Sequence, residues 1–515
     1  MYKTIYKQIA SLQIILGMVI LVPSIVSGLY GEWYSCTGFL FSGLLITLIG
    51  YLGYRVLKNT DEPQYKHALV IVALGWLMII SLGAVPYFII AVITPGDEYM
   101  KWVPDGFSYP SSLLNFRNPL HCLFESASAF TTTGLTMAEH EPSVGKGVLF
   151  YRHFSQYVGG AGFIVMALAV FKRSPGKGDM NLYGSEASGV KLRTNVIETA
   201  RAIWKVYLFI TFLVFIYLFL GTLIILPDYP VNNAFFDAVN HAMAGQSTGG
   251  FSTLDDSIAT YHSSAMELLY IFPMIIGGLS LPFLYRFIFL RQLSQLWEDI
   301  QTRTMILVAI IGGVVLSLML YKSAVVPNYI REGMFQFSSA MTTTGWQTSA
   351  INRWDNTSIL FIVVFAMIVG GSAGGTVGGI KLNRVLLLFR GLRWEIGKIF
   401  QSDHTIKVVE FNGKKWLPDA MNHEISQAGI FTFIYLIILV LSTLIAYNLM
   451  GPEYRISDAF FETASAQGTV GLSVGITNPS MSPWLESLYI LLMWVGRIEI
   501  IPMLVLIRVF IAGVK

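Results

Sequence analysis

Apolar runs of span length begin near Leu12, Cys36, Ala68, Val148, Val206, Met266, Thr304, Ile359, Ile425 and Leu485, and polar residues gather in the short segments between them. The run 206–226 carries no charge over 21 residues. As a helix it would measure about 31 Å, against a bilayer core of about 30 Å. The pattern predicts an all-α chain of about ten transmembrane helices, most of them interrupted by Gly or Pro. Four of the polar segments resemble one another: Thr131-Thr132-Thr133-Gly134-Leu135-Thr136, Ser247-Thr248-Gly249-Gly250-Phe251-Ser252, Thr342-Thr343-Thr344-Gly345-Trp346-Gln347 and Gly468-Thr469-Val470-Gly471-Leu472-Ser473. Each is a poor helix between apolar runs, and irregular backbone at membrane depth is tolerated only where it is buried in protein or lines a watery cavity. Four such strips would together line one pore.

Each strip glycine, at 134, 250, 345 and 471, follows a segment too short to span: 119–130, 232–245, 332–341 and 457–466. Three of these share a pattern, Leu123-Phe124-Glu125-Ser126-Ala127-Ser128-Ala129, Phe235-Phe236-Asp237-Ala238-Val239 and Phe460-Phe461-Glu462-Thr463-Ala464-Ser465-Ala466. Each predicts about three helical turns. A half-helix that stops mid-membrane points its partially negative end at the bilayer centre, where it favours a cation. The glycine that follows permits conformations closed to other residues, so that carbonyls face an axis and replace the hydration shell of an ion. A lone Thr-Thr-Gly string is an ordinary turn; recurrence in one context, span, short segment, strip and span, makes it a repeat.

Composition agrees with the pattern. The 515 residues are 54% hydrophobic and 13% charged, well under the roughly 25% charged residues of soluble domains. The net charge of +3 says little, because in a membrane chain the placement of Lys and Arg matters more than their sum. With the N-terminus inside and ten spans, the inner segments hold Lys172, Arg173, Lys177, Lys191, Arg193 and Arg201, then Arg390, Arg393, Lys398, Lys407, Lys414 and Lys415. The outer segments are poorer in them, so the bias predicts this orientation and four strips entered from outside.

On these motifs the chain resembles the superfamily of potassium transporters that includes TrkH, KtrB and the plant HKT proteins, in which four covalently joined membrane-pore-membrane units surround one pore. The two spans before Ala68 are similar to the extra N-terminal pair of the TrkH branch. The resemblance implies a pseudo-fourfold arrangement: an N-terminal pair at 1–66 and pore units at 67–200, 201–300, 301–422 and 423–515. It implies potassium as cargo, with no cofactor, at a filter made of Thr132, Thr133 and Gly134, Thr248, Gly249 and Gly250, Thr343, Thr344 and Gly345, and Thr469, Val470 and Gly471. All four filter glycines are present, which is similar to the potassium-selective pattern, whereas Ser at the first goes with sodium in the plant branch. The first and third strip positions differ between copies, so the filter is not fourfold symmetric.

The span near Ile359 is broken by Gly370-Gly371-Ser372-Ala373-Gly374-Gly375-Thr376-Val377-Gly378-Gly379-Ile380-Lys381, with six Gly in twelve positions. At about 1 kcal/mol per Gly relative to Ala, no stable helix is expected there. The resemblance implies a gate: a loop beneath the filter, with Arg497 of the last span close to the pore as a positive barrier or as a partner of loop carbonyls. Tight helix packing is the alternative for the glycines, and a local pair with Glu499 or snorkelling the alternative for Arg497.

Glu139, Glu141, Asp255, Asp256 and Asp355 follow the first three strips and would concentrate cations at a mouth, or stand in ordinary solvated loops. The segment 404–416 carries β-type residues and an Asn412-Gly413 turn signal, which predicts a small inner hairpin. It is either a plain connector or, by the resemblance, part of a docking surface for a cytosolic TrkA-like nucleotide-binding subunit. No Rossmann fingerprint occurs in the chain, and no nucleic-acid partner is expected. The resemblance further implies a homodimer with one pore per subunit in the bacterial inner membrane, both termini cytoplasmic. The metalloprotease motif His-Glu-x-x-His is absent from the sequence, and an enzyme is not expected. The closer rival is a secondary transporter of another cation or small solute, which would show two inverted repeats rather than four parallel ones.

Overall fold

Tyr2–Leu29 and Trp33–Val56 form a tight helix pair, because glycines remove the side chains that would hold the backbones apart. A Cβ on Gly17 would lie 2.7 Å from Gly43 O, and one on Gly50 2.9 Å from Ile14 N. This is small-residue packing of the kind membrane helices use. The structure, a computed structural model, describes residues 2–57, 65–104, 106–162, 165, 196–354, 356–400, 409–411, 414–416 and 418–513.

After the pair, one order of elements recurs four times. A long apolar helix comes first: Tyr65–Gly83 with Val85–Ile93, then Val196–Ile225, Ile300–Ser323 and Pro418–Leu449. A half-helix follows in each copy: Pro119–Phe130, Val231–Gln246, Tyr329–Met341 and Ile456–Gln467. The strip comes next, and a second helix closes the unit: Lys146–Gly160, Ser264–Gly278, Thr357–Val369 and Pro483–Ile498. The predicted half-helix 119–130 is reproduced to the residue, and the other three are longer by one to three residues at an end.

Among the described residues six helices are long and apolar enough to cross a membrane, or eight if two bent pairs are each one span. The bent pairs are Ser264–Gly278 with Leu281–Phe289, at 102°, and Pro483–Ile498 with Ile500–Ala512, at 111°. The expected spans near Val148 and Ile359 appear as helices of 15 and 13 residues. All four second helices stop short in this way. The first ends before Gly162 at φ 89°, the third runs into Gly370 at φ 68°, and the fourth breaks at Glu499 with φ 63°.

The long helices divide into two faces. On Val196–Ile225, Val206, Tyr207, Ile210, Val214 and Leu218 are buried, while Leu208, Phe209, Phe212, Leu213 and Leu220 are exposed. An exposed apolar stripe of that length is a liability in water and a requirement in lipid. The predicted hairpin is present as Val409–Phe411 paired antiparallel with Lys414–Trp416, with Phe411 opposite Lys414. The rest of segment 404–416, with Asn412, Gly413 and Lys407, lies outside the described residues, as do Lys172, Arg173, Lys177, Lys191, Arg193 and Asp355.

Candidate functional site

The four half-helices end in one hydrogen-bond pattern. Thr133 N donates to Ser128 O at 2.9 Å, Gly249 N to Ala244 O at 2.8 Å, Thr344 N to Ser339 O at 2.9 Å and Val470 N to Ser465 O at 2.9 Å. This is a left-handed helix stop, usually built on Gly. Here the left-handed residue is Thr in every copy, with φ of 58° at Thr132, 50° at Thr248, 50° at Thr343 and 48° at Thr469. A β-branched residue in that region is strained by about 1–3 kcal/mol. Two residues on, Gly134, Gly250, Gly345 and Gly471 take φ of 94°, 74°, 88° and 95°. The sequence signals the glycines; it did not reveal that the second Thr carries the turn.

The strips meet. A Cβ on Gly134 would fall on Gly249 O, one on Gly250 on Thr344 O, one on Gly345 on Val470 O, and one on Gly471 on Thr133 O. Each strip glycine therefore packs against the next strip's third-position carbonyl, and the chain of contacts closes on itself. All four glycines also line one vestibule of about 530 Å³. No side chain fits at these glycines, so carbonyls of four units stand together around one axis.

Four buried carboxylates clamp the strips from behind, and sequence reasoning missed them in that role. Glu125 accepts from Met137 N at 2.9 Å, and Glu462 from Ser473 Oγ at 2.7 Å and Val474 N at 3.0 Å. Asp237 accepts from Thr253 Oγ1 at 2.6 Å, and Glu332 from Thr348 Oγ1 at 2.8 Å. Glu125 and Glu462 precede their strip glycines by nine residues, Asp237 and Glu332 by thirteen. The signal was at least one acidic residue in each short apolar segment, where an unpartnered charge would be costly. In the first unit the clamp includes Arg152, fully buried, whose Nε lies 2.6 Å from Glu125 Oε1 and whose guanidinium sits 4.1 Å from the Phe251 ring.

On the side of the strips away from the vestibule lies the glycine-rich loop 370–381. Ser372 N donates to Gly278 O at 3.1 Å, Ala373 N to Gln301 Oε1 at 2.9 Å and Leu281 N to Gly374 O at 3.0 Å. Thr376 Oγ1 is 2.9 Å from Thr248 Oγ1, and Gly378 N donates to Thr343 Oγ1 at 3.1 Å. A Cβ on Gly378 would fall on Gly468 O and Thr469 Oγ1. The loop thus touches the bases of the second, third and fourth strips. Its glycines are required by backbone contact, since Gly370 and Gly375 have no room for a Cβ beside Gly378 O and Leu279 O. Arg497 connects it to the first unit, donating to Thr376 O at 3.1 Å, to Gly160 O at 2.7 Å and to Gly159 O. A loop carbonyl is thus among the partners of Arg497. Glu499 is held by Lys381 at 2.9 Å and Arg384 at 2.6 Å.

Glu139, Glu141, Asp255 and Asp256 line the vestibule with the glycines. Burial pushes the Asp255 carboxyl above its ordinary value, opposed by His140, whose Nδ1 is 3.7 Å away, and by Tyr109. Burial likewise pushes the Glu141 carboxyl well up, against the pull of Arg152.

Comparison with known proteins gives a consistent set of likenesses. The family model TrkH, described as cation transport protein, matches residues 99–512. An uncharacterized cation transporter of Methanocaldococcus jannaschii is 30% identical over 496 residues, 96% of this chain and 92% of that protein. The Trk system potassium uptake protein TrkH of Escherichia coli is 28% identical over 524 residues, 98% of each. The crystal structure of the potassium transporter TrkH from Vibrio parahaemolyticus superposes with a TM-score of 0.76 over 98% of both chains, at 24% identity, which bears on the fold.

Proposed function

The chain belongs to the TrkH family of cation transport proteins, and from that premise we propose that it takes up potassium through a single pore, across a filter of backbone carbonyls drawn from its four strips. It is a multi-pass membrane transporter, not an enzyme. The observation that carries the potassium reading is the closed ring in which each strip glycine faces the next strip's carbonyl. Such oxygens are held apart by the packing of four units, so they replace the hydration shell of a large alkali ion without having to reorganise. The filter residues are Thr132, Thr133, Gly134, Thr248, Gly249, Gly250, Thr343, Thr344, Gly345, Thr469, Val470 and Gly471, contributed by units 67–200, 201–300, 301–422 and 423–515.

The half-helices enter from outside, so the vestibule with its acidic rim faces the medium and collects cations. The loop of Gly370, Gly371, Ser372, Ala373, Gly374, Gly375, Thr376 and Lys381, pinned by Arg497, closes the pore beneath the filter. Its bonds to the second and third strips, its packing against the fourth and, through Arg497, its link to the first unit support that role. Opening requires those bonds to be exchanged for water. The chain works in the inner membrane as a homodimer, and a TrkA-like cytosolic subunit acts on it from the side of the hairpin.

Rubidium or potassium uptake in cells stripped of their own uptake systems tests the function. Gly134→Ser tests the filter: it adds a side chain where Gly249 O already sits, and sodium flux is expected to rise relative to potassium. No uptake by the wild type, or sodium and potassium fluxes indifferent to Gly134→Ser, would overturn the reading.

A further inference from the structure

The third position of the strips reads Thr133, Gly249, Thr344 and Val470, so the second strip alone has no side chain there. In the first and third strips that side chain is tied down. Thr133 Oγ1 lies 2.7 Å from Thr131 Oγ1, and Thr344 Oγ1 lies 2.8 Å from Thr342 Oγ1. In the second strip the space belongs to another unit. A Cβ added to Gly249 would collide with the carboxamide of Gln156, 2.8 Å from its Nε2. Gln156 sits on Lys146–Gly160 and is fully buried. Its Nε2 donates to Gly249 O, and its Oε1 accepts from Phe251 N at 3.3 Å. One carboxamide brackets Gly250, the filter glycine. From the far side Trp346 Nε1 donates to Phe251 O at 3.1 Å.

We propose that Gln156 is a selectivity-determining positioning residue: it stands in for the missing third-position side chain of the second strip and tethers one of the four ring oxygens. The inference rests on the reading of the strips as a potassium filter. Gly249 O is the oxygen against which Gly134 packs. A carbonyl has two lone pairs, so the bond to Gln156 leaves it free to face an ion while drawing off part of its negative potential. Among the described residues no side-chain donor of this kind reaches Thr133 O, Thr344 O or Val470 O. The ring is therefore uneven, with three oxygens of full strength and one that is weaker and fixed. A fixed oxygen does not follow a smaller ion inward, and both cavity size and carbonyl field strength govern discrimination between potassium and sodium. The asymmetry read from the sequence is thus answered by one residue outside the strips.

The test is the potassium-to-sodium flux ratio of Gln156→Ala, Gln156→Met and the double variant Gln156→Ala with Gly249→Thr, each checked for membrane level and thermal unfolding in detergent. Gln156→Met keeps the volume and loses both hydrogen bonds. The ratio is expected to fall about fivefold in Gln156→Met, the factor that loss of one ordinary hydrogen bond, here the one to the ring oxygen of Gly249, carries. Gln156→Ala falls at least as far. The double variant, which restores a side chain from within the strip, recovers toward the wild type. A wild-type ratio in Gln156→Met would reduce Gln156 to packing and overturn the inference, as would a double variant no better than Gln156→Ala. If Gln156→Ala does not reach the membrane, Gln156→Met decides alone. A wild-type protein that does not discriminate the two ions would instead sink the filter reading itself.

Discussion

Arg497 donates to the carbonyl of Thr376 at 3.1 Å, so a residue of the last spanning helix holds the middle of a loop from the preceding unit. The same guanidinium reaches Gly159 O and Gly160 O at the end of the first unit's second helix. One cation therefore satisfies three carbonyls that two broken helices leave open. Arg497→Ala is expected to free the loop and raise rubidium flux while lowering discrimination against sodium. Arg497→Lys, which keeps the charge and loses the fork, should fall between. Wild-type flux in Arg497→Ala would show that the loop is held by its other bonds.

Glu125 and Arg152 are both fully buried with a 2.6 Å contact. Removing one partner of such a pair costs about 3–5 kcal/mol, because the other charge is left without compensation. Arg152→Leu should therefore lower the unfolding temperature in detergent sharply, and Arg152→Leu combined with Glu125→Gln should lower it less. A double variant as unstable as the sum of the singles would mean that the two residues act independently.

The left-handed Thr at the end of each half-helix holds strain that Gly would not. Thr132→Gly is expected to stabilise the fold by about 1 kcal/mol or less through relief at φ 58°, offset by loss of the Thr132 Oγ1 bond to Thr131 O at 2.6 Å. Selectivity should drop at the same time, since the freed backbone no longer holds the adjoining oxygens in place. Calorimetry with flux ratios on one preparation checks both, and unchanged selectivity would separate the strain from the filter.

Because burial raises the Asp255 carboxyl above its ordinary value of 3.8, it gains its proton at a higher pH than an exposed aspartate does. Uptake at low potassium and low ionic strength is expected to decline as external pH falls through a midpoint above 3.8. The loss should fade at high salt, where screening hides the mouth charge. Asp255→Asn should remove that step and lower uptake at neutral pH; a pH profile identical to the wild type would exclude Asp255 as its source.

How much of this was legible beforehand follows from the range of each interaction. Apolar runs and the short segments before the glycines are local, so the half-helix 119–130 was placed to the residue and 456–467 within one at each end. The glycine-rich interruption was equally plain, since six Gly in 370–381 exclude helix wherever they lie. The bends of 102° and 111° in the second and fourth units were not, because Gly277, Gly278 and Pro282, or Gly496 and Pro502, signal an interruption without setting its angle. Nor were the carboxylate clamps, which sit at two different distances from their glycines and so hid from alignment.

By itself, the sequence determined that this is a multi-pass membrane chain with four copies of one unit, each delivering a glycine-centred strip, because apolar length and backbone freedom are properties of a few neighbouring residues. Only the tertiary structure decided which groups those strips meet: Gly134 against Gly249, Gly471 against Thr133, Gln156 behind Gly249 and Arg497 under Thr376. Those partners are separated by dozens to hundreds of positions. They are brought together by the packing of whole units around an axis, and no local pattern of residue types encodes that.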